Sequence, residues 1–198
     1  MDEGLELAPP GAGVPRWQVL AGRYLLLPCW CVRSRSRLVE ILCEEGEDLL
    51  RLGEGIGDEL QLRRVLVPPQ IGLEDSSRAW SFAMVLEHLV IIGERVAGVI
   101  VELSHGRVPA DRFGTAQLKP RGATAAAAAR EEFRKCLERF RGLAAAERYG
   151  DPASPTRYPH PWFGPLTARQ WLGFLPMHQR IHARQARRIV GALRRPGR

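Results

Sequence analysis

The chain has 198 residues, a length typical of one domain, and 45% of them are hydrophobic, as in an ordinary globular protein. Its net charge of +7 arises mainly at the C-terminal end, because nine arginines and no acidic residue follow Asp151. No apolar run reaches the ~20 residues that span a bilayer, and the acidic N-terminus lacks the basic and apolar regions of a secretory signal. We therefore expect a cytoplasmic protein without a membrane partner.

The arginine-rich end admits two interpretations. A nucleic-acid-binding tail would use such arginines for phosphate contacts. Alternatively, a basic last helix lies against the acidic segment 40–75, which carries ten acidic residues, and ends in a solvated tail at 194–198. We favour the second interpretation, because few aromatic residues are interleaved with these arginines and no nucleic-acid-binding motif is present.

The four cysteines are Cys29, Cys31, Cys43 and Cys136. Without a secretory context, a disulfide framework is not expected. The spacing of Cys29 and Cys31 is also tighter than the two to four residues that separate zinc ligands in most knuckles. We expect free thiols that are buried or half-buried, and a redox or metal role for Cys29 and Cys31 is the less favoured alternative.

The first predicted element is an irregular N-terminal arm at 1–30, whose first half is rich in Pro and Gly. Apolar residues at helical spacing then predict a helix over about 33–52, which the three glycines within 53–57 end. A short helix at 58–66 precedes the break at the two prolines 68–69.

A second long helix is predicted over about 77–103, with Asp75 or Ser76 as its N-cap. Gly106 is the expected residue just beyond its C-terminal end, where a left-handed backbone conformation is common. The Pro- and Gly-containing stretch 107–123 is predicted to be a long loop, of a length that is uncommon unless it crosses between distant helices or has a function.

A third helix follows the alanine run at 125–129. Its apolar stripe recurs at helical spacing and consists of Phe133, Leu137, Phe140 and Leu143. A proline-rich loop at 151–165 precedes the last helix, which is capped by Thr167 and runs to about Leu193. Pro176 lies inside this helix and should kink it.

These elements predict the fold class. No strong strand alternation and no internal repeat is visible, and four amphipathic helices with long second and third connections are typical of a four-helix bundle. We therefore predict an all-α bundle domain over 31–193, preceded by the arm at 1–30 and followed by the basic tail at 194–198.

Two histidines on the last helix are the most informative residues. His178 and His182 are four positions apart, so they lie one above the other on a helix face that is otherwise apolar. Helix-borne histidines at this spacing can hold one metal ion between them. If the second long helix packs against the last, His88 would join them in an open three-histidine site. A hydrogen-bonded core histidine is the alternative for each of the three.

The remaining candidate residues are expected to have structural or supporting roles. His105, beside a helix end, is expected on the surface or in a cap, and His160, in a stiff proline-rich loop, is expected to be structural or to shape a pocket rim. Gln185 lies one turn after His182 and could orient a metal ligand from behind. Glu87 points away from His88 on the helix and is expected to form a surface salt bridge.

Two segments carry a resemblance to a known family. The segment His160-Pro161-Trp162-Phe163-Gly164-Pro165-Leu166-Thr167, followed by Trp171, His178, His182 and Gln185, resembles the C-terminal signature of the DinB/YfiT-like metalloenzyme superfamily. It is most similar to the branch that contains an HPxFG loop. The stretch from Trp80 to Leu89 resembles the second-helix motif that carries the family's first metal histidine.

The resemblance implies an up-down-down-up bundle in which His88, His178 and His182 hold a divalent metal. Zinc or nickel is expected first, with manganese or iron as alternatives. It also implies an enzyme that activates a thiol or water for transfer or hydrolysis of a small-molecule substrate, with a low-molecular-weight thiol as a candidate partner. A non-catalytic metal-binding or stress-associated bundle is the alternative, and a homodimer is compatible with either. The first 70 residues do not share the resemblance.

Overall fold

A computed structural model describes residues 7–145, 150 and 153–195. The parts of the predicted arm, loop and tail at 1–6, 151–152 and 196–198 lie outside this description. Four long helices dominate the fold: α3 (Arg35–Glu54), α5 (Phe82–Ser104), α6 (Ala126–Ala145) and α7 (Ala168–Leu193). The shorter helices are α1 (Arg16–Ala21), α2 (Leu27–Cys31) and α4 (Asp58–Leu62). The strands are β1 (Val65–Leu66), β2 (Ala79–Trp80), β3 (Arg157–His160) and β4 (Gly164–Thr167).

The first and last long helices run parallel to each other. At their N-terminal ends, the Arg169 guanidinium at the start of α7 donates to the carbonyl of Cys31, just before α3, at 2.8 Å. At their C-terminal ends, Arg194 donates to the carbonyl of Gly55 at 3.4 Å. Matching ends therefore meet, which requires the same direction for α3 and α7.

The third long helix runs opposite to the first. Near the start of α6, Arg130 donates to Gln61 in α4, beyond the end of α3, at 2.7 Å. Towards the end of α6, Arg141 forms an ion pair with Glu47 in the middle of α3. Phe133, Leu137 and Phe140 are buried as predicted, and the side chain of Leu143 lies outside the described part of the structure.

The second long helix runs in the same direction as the third. Glu87 in α5 accepts from the backbone N–H of Arg121, ahead of α6, at 2.9 Å. Two turns later Glu94 accepts from Arg139 of α6 at 2.5 Å. With α3 and α7 in one direction and α5 and α6 in the other, the bundle is up-down-down-up, so the predicted all-α fold is confirmed.

The predicted irregular arm at 1–30 is wrong over its second half. From Arg16 to Cys31 the chain is helical, and a π-helical turn at Gly22–Leu26 joins α1 to α2. Tertiary packing favours this helix, because Gly22 lies against the ring of Phe163 so closely that a Cβ atom would come within 2.9 Å of it. The proline and glycine content of the first residues obscured the helical periodicity that follows them.

The second long helix begins five residues later than predicted. Its N-cap is Ser81, whose Oγ accepts from the backbone N–H of Met84 at 3.1 Å, and not Asp75 or Ser76. The intervening residues form a 3-10 turn at Asp75–Ser77 and the strand β2, which pairs antiparallel with β1. These strands are too short to show alternation in the sequence. At the other end, Gly106 has a φ of +74°, as expected beyond a helix C-terminus.

The last helix has the predicted limits. The Thr167 hydroxyl accepts from the N–H of Gln170 at 3.4 Å, and the Gln170 side chain accepts from the N–H of Thr167 at 3.0 Å. This reciprocal capping box fixes where α7 begins. The helix continues through Pro176, so the kink expected there stays a prediction. The preceding loop is not wholly irregular, because β3 and β4 form an antiparallel hairpin within it.

The arginines of the last helix are largely engaged within the protein. Arg180 forms an ion pair with Glu45 of the acidic segment at 2.5 Å, and Arg188 donates to the carbonyl of Pro68 at 3.3 Å. These contacts place part of the basic helix against the acidic segment 40–75, while Arg184 and Arg187 are exposed. The four cysteines are free thiols, as predicted, although Cys29 is exposed. None of the described helices is both long enough and apolar enough to cross a membrane.

Substitutions at two glycines of α5 test how closely α5 packs against α6. A Cβ atom at Gly93 would lie 2.8 Å from the Cys136 sulfur, whereas at the exposed Gly98 it would meet nothing within 4 Å. Gly98→Ala should stabilise the protein by about 0.5–1 kcal/mol through helix propensity. Gly93→Ala should destabilise it by about 1–3 kcal/mol through overpacking. Urea unfolding measures both, and equal stabilisation would contradict the close approach of the two helices.

Candidate metal centre

Three histidines from two helices meet inside the bundle. His88 comes from α5, and His178 and His182 come from α7. One ring nitrogen of each lies within 4.8 Å of those of the other two, and the Nε2 atoms of His88 and His178 are 3.3 Å apart. The packing of α5 on α7 therefore brings together the three histidines that the sequence singled out, and this group could hold a metal ion.

Hydrogen bonds behind two of the rings set their orientation. His88 donates through Nδ1 to the carbonyl of Leu118 at 2.7 Å. His182 donates through Nδ1 to Oε1 of Gln185 at 2.8 Å, and Gln185 in turn donates to the carbonyl of Ser77 at 2.7 Å. Because a carbonyl oxygen only accepts, each bond places the ring proton on Nδ1 and leaves the Nε2 lone pair free to face the other histidines.

Aromatic side chains enclose the histidine group. The ring of Trp80 stacks on His182 with centroids 5.7 Å apart and planes 7° from parallel, and it also contacts His88 at 5.0 Å. On the other side, Phe174 contacts His178 at 5.1 Å. The imidazoles thus lie among apolar walls, where an unsatisfied polar atom is costly and charge is disfavoured.

Burial keeps these histidines neutral. Loss of hydration, followed by the proximity of the other histidines, holds the pKa of His88 and of His178 well below the ordinary value of 6.5. Burial also lowers the pKa of His182 to about 4, against a smaller opposing effect of its bond to Gln185. At neutral pH all three rings are therefore in the unprotonated form that binds metals.

A cavity of about 270 Å³ opens onto the histidine group. It lies between the α1–α2 stretch, the segment 71–77, the loop at 113–119, the β3–β4 turn and α7. The apolar part of its lining includes Leu26, Trp30, Phe113, Trp162, Phe174 and Met177. Concave, mainly apolar cavities with a few convergent polar groups are typical of small-molecule sites.

One carboxylate lines the described cavity, and it is fully engaged. Glu74 pairs with the amine of Lys119 and also accepts from the backbone N–H groups of Gly11 and Gly13, at 2.7 and 2.9 Å. Burial raises the pKa of Glu74, but the bonds from Lys119 and the two glycines outweigh it and lower the pKa overall. Sequence reasoning missed this pair, because nothing local links residues so far apart along the chain.

The secondary candidates take the following places. His160 accepts through Nδ1 from the N–H groups of Trp162 and Phe163, at 3.1 and 3.2 Å, so it shapes the β3–β4 turn while also lining the cavity. His105 is exposed at the end of α5, as expected. The salt bridge expected of Glu87 is wrong, because its carboxylate instead accepts from backbone N–H groups that lead into α6.

Acid should destabilise the metal-free protein. Burial, then the charge of Arg23, lowers the pKa of His160 to about 3 in the folded protein, against ~6.5 in an unfolded chain. Between these values only the unfolded chain takes up the proton, so stability falls by ~1.4 kcal/mol per pH unit for this group as the pH drops.

Urea unfolding in the presence of a chelator, from about pH 7 to about pH 5, measures the slope that this linkage gives. Relative to the wild type, His160→Gln should reduce the slope by about one proton. An unchanged slope in His160→Gln would show that this ring is not held neutral.

The comparisons with known proteins bear on the same residues. The family model of the DinB superfamily matches residues 43–186, which is about three quarters of the chain and includes the three histidines and Gln185. The expectation that the first 70 residues lie outside the resemblance is therefore wrong for residues 43–70. No curated protein and no solved structure matches the chain. The branch with the HPxFG loop stays a prediction. From the family match, together with a bundle that gathers the three histidines, the chain belongs to the DinB superfamily.

Proposed function

We propose that this protein is a divalent-metal-dependent enzyme in which His88, His178 and His182 hold the metal. A thiol or water bound there would be activated for group transfer or hydrolysis. The observation that supports this most directly is the convergence of three imidazoles at the base of an apolar cavity. Gln185 has the role of orienting His182 from behind.

The donor set fits a divalent ion. Two nitrogens bound at 2.0–2.1 Å to a tetrahedral ion are about 3.3–3.4 Å apart, and the Nε2 atoms of His88 and His178 are 3.3 Å apart. Imidazole ligands favour zinc or nickel, with iron and manganese as alternatives. Three protein ligands also leave a coordination position for water or substrate, as in catalytic zinc sites.

In this mechanism the chain's own residues orient the histidine rings and shield them from water. A metal bound in this site would lower the pKa of a water or thiol bound to it. The Leu118 carbonyl and Gln185 hold two rings in position, while Trp80 shields them from bulk water. Because Glu74 is engaged by Lys119, the described lining offers no unpaired carboxylate as a general base, which favours a nucleophile that ionises at the histidine site itself.

The cavity also indicates the kind of substrate. Its aromatic and aliphatic walls favour a small molecule with an apolar body. Arg184 lines the same cavity and is exposed, so an anionic group on the substrate could face it. A low-molecular-weight thiol as the second reactant is part of the proposal.

Metal analysis tests the site. Protein purified without chelators should contain about one divalent ion per chain. His178→Ala and His182→Ala should each retain less than about a tenth of that metal, because the remaining two imidazoles hold an ion weakly. His105→Gln is the matched control and should keep its full metal content. Full metal in either alanine variant would rule out the proposed ligands.

An activity screen distinguishes a metal-dependent enzyme from a non-catalytic metal-binding protein. The metal-loaded protein should catalyse transfer or hydrolysis in a screen of small electrophiles with and without low-molecular-weight thiols, and both alanine variants should lose that activity. A protein that binds the metal at these histidines but shows no turnover in the screen would instead be a non-catalytic metal-binding bundle.

Substitution of Gln185 tests whether its hydrogen bond to His182 contributes to metal affinity. Gln185→Leu removes the bonds to His182 and to Ser77, so the metal affinity should fall about 10- to 100-fold. The control is Gln179→Leu on the same helix, which removes a buried bond of 2.6 Å to the Leu42 carbonyl. Both variants should lose about 1–3 kcal/mol of stability, and an equal fall in metal affinity would contradict a specific role for Gln185.

A further inference from the structure

The outer face of the N-terminal helical stretch is apolar and exposed. In this stretch, defined here as residues 16–32, each of five large apolar residues that do not line the cavity has more than half of its surface in solvent: Trp17, Leu20, Tyr24, Leu25 and Val32. They make up half of the large apolar residues that the described part of the chain exposes. Contiguous exposed apolar surface on a soluble protein marks an interaction site.

The same stretch is anchored to the bundle by its inner face. Leu27 and Trp30 are buried, and Gly22 lies against the ring of Phe163. At its end, Cys31 contacts Gly173 of α7. The bundle therefore holds the stretch in place by its inner face, and the apolar outer face is left exposed to solvent.

The charged residues of the stretch itself are of one sign. Within residues 16–33 the chain carries Arg16, Arg23 and Arg33 and no Asp or Glu, whereas further along Arg37 is paired with Glu40 and Glu44. Arg23 donates to the carbonyl of Pro165, and Arg33 donates to that of Cys29. A carbonyl oxygen carries no net charge, so neither bond neutralises the guanidinium. One terminal nitrogen of Arg23 is buried, so Arg16 and Arg33 are the arginines that border the outer face.

We propose that the outer face of residues 16–32 docks on an anionic membrane surface. A helix with aromatic and leucine side chains on one face and arginines at its borders lies in the interface between headgroups and acyl chains. Trp17 and Tyr24 are of the residue types that settle at headgroup depth, and the arginines complement anionic lipids. A second copy of the chain fits less well, because pairing two such faces would bring arginines of both copies together.

This contact is peripheral and does not require a membrane-spanning helix. The expectation of no membrane partner rested on the length of the apolar runs, which reports on spanning only. Docking does not depend on the metal, so it can be tested with or without a loaded site.

Vesicle flotation with the full chain tests the proposal. The probes are vesicles of phosphatidylcholine alone and vesicles that also contain about one third phosphatidylserine. The protein should float with the anionic vesicles only, and about 0.5 M salt should weaken this binding by screening. The double variant Leu20→Ser, Leu25→Ser should bind at least about tenfold more weakly, because it removes apolar side chains that would enter the membrane.

The control is Leu66→Ser, which removes an exposed apolar side chain on β1 and should bind like the wild type. Tyr24→Ser serves as a second variant if circular dichroism shows that the double variant is misfolded. Absence of flotation with anionic vesicles at low salt, or unchanged flotation of the correctly folded variants, would overturn the proposal. Light scattering that shows a dimer lost in the variants, without vesicle binding, would overturn it in favour of a self-association surface.

Discussion

The packing of α5 against α7 is the contact on which the rest of this structure depends. It buries the imidazoles of His88 and His182 and half-buries that of His178, and such burial costs free energy unless each ring has partners. The Leu118 carbonyl and Gln185 supply partners behind His88 and His182, while the rings face one another in front. The bundle thus places a polar cluster in its interior where α5 and α7 meet.

Support for this cluster comes from parts of the chain outside the four long helices. In the segment before α5, the carbonyl of Ser77 accepts a hydrogen bond from Gln185. Glu74 of the same segment accepts from the backbone N–H of Gly11 and forms an ion pair with Lys119. Irregular segments therefore close the cavity and orient the histidines at once. This division of labour, with helices carrying the reactive groups and connections holding them, is common where a rigid scaffold carries a site.

Much of this arrangement follows from local sequence signals. Helical periodicity gave three of the four long helices within a few residues of their limits, and the spacing of His178 and His182 located the site on the last one. The start of α5 was missed because Ser81 competes as a cap with Asp75 and Ser76, and only the pairing of β1 with β2 decides between them. The Glu74–Lys119 pair and the N-terminal helix depend on tertiary contacts, which no local pattern encodes.

The bond from His88 to the Leu118 carbonyl has a consequence for how the connection between α5 and α6 can evolve. Loops on a protein surface ordinarily accept insertions and deletions. Here a change of length close to Leu118 would move a carbonyl that sets the orientation of a histidine in the core. Length variation among relatives should therefore concentrate in the early part of this connection, and its last residues should vary as little as the helices they join.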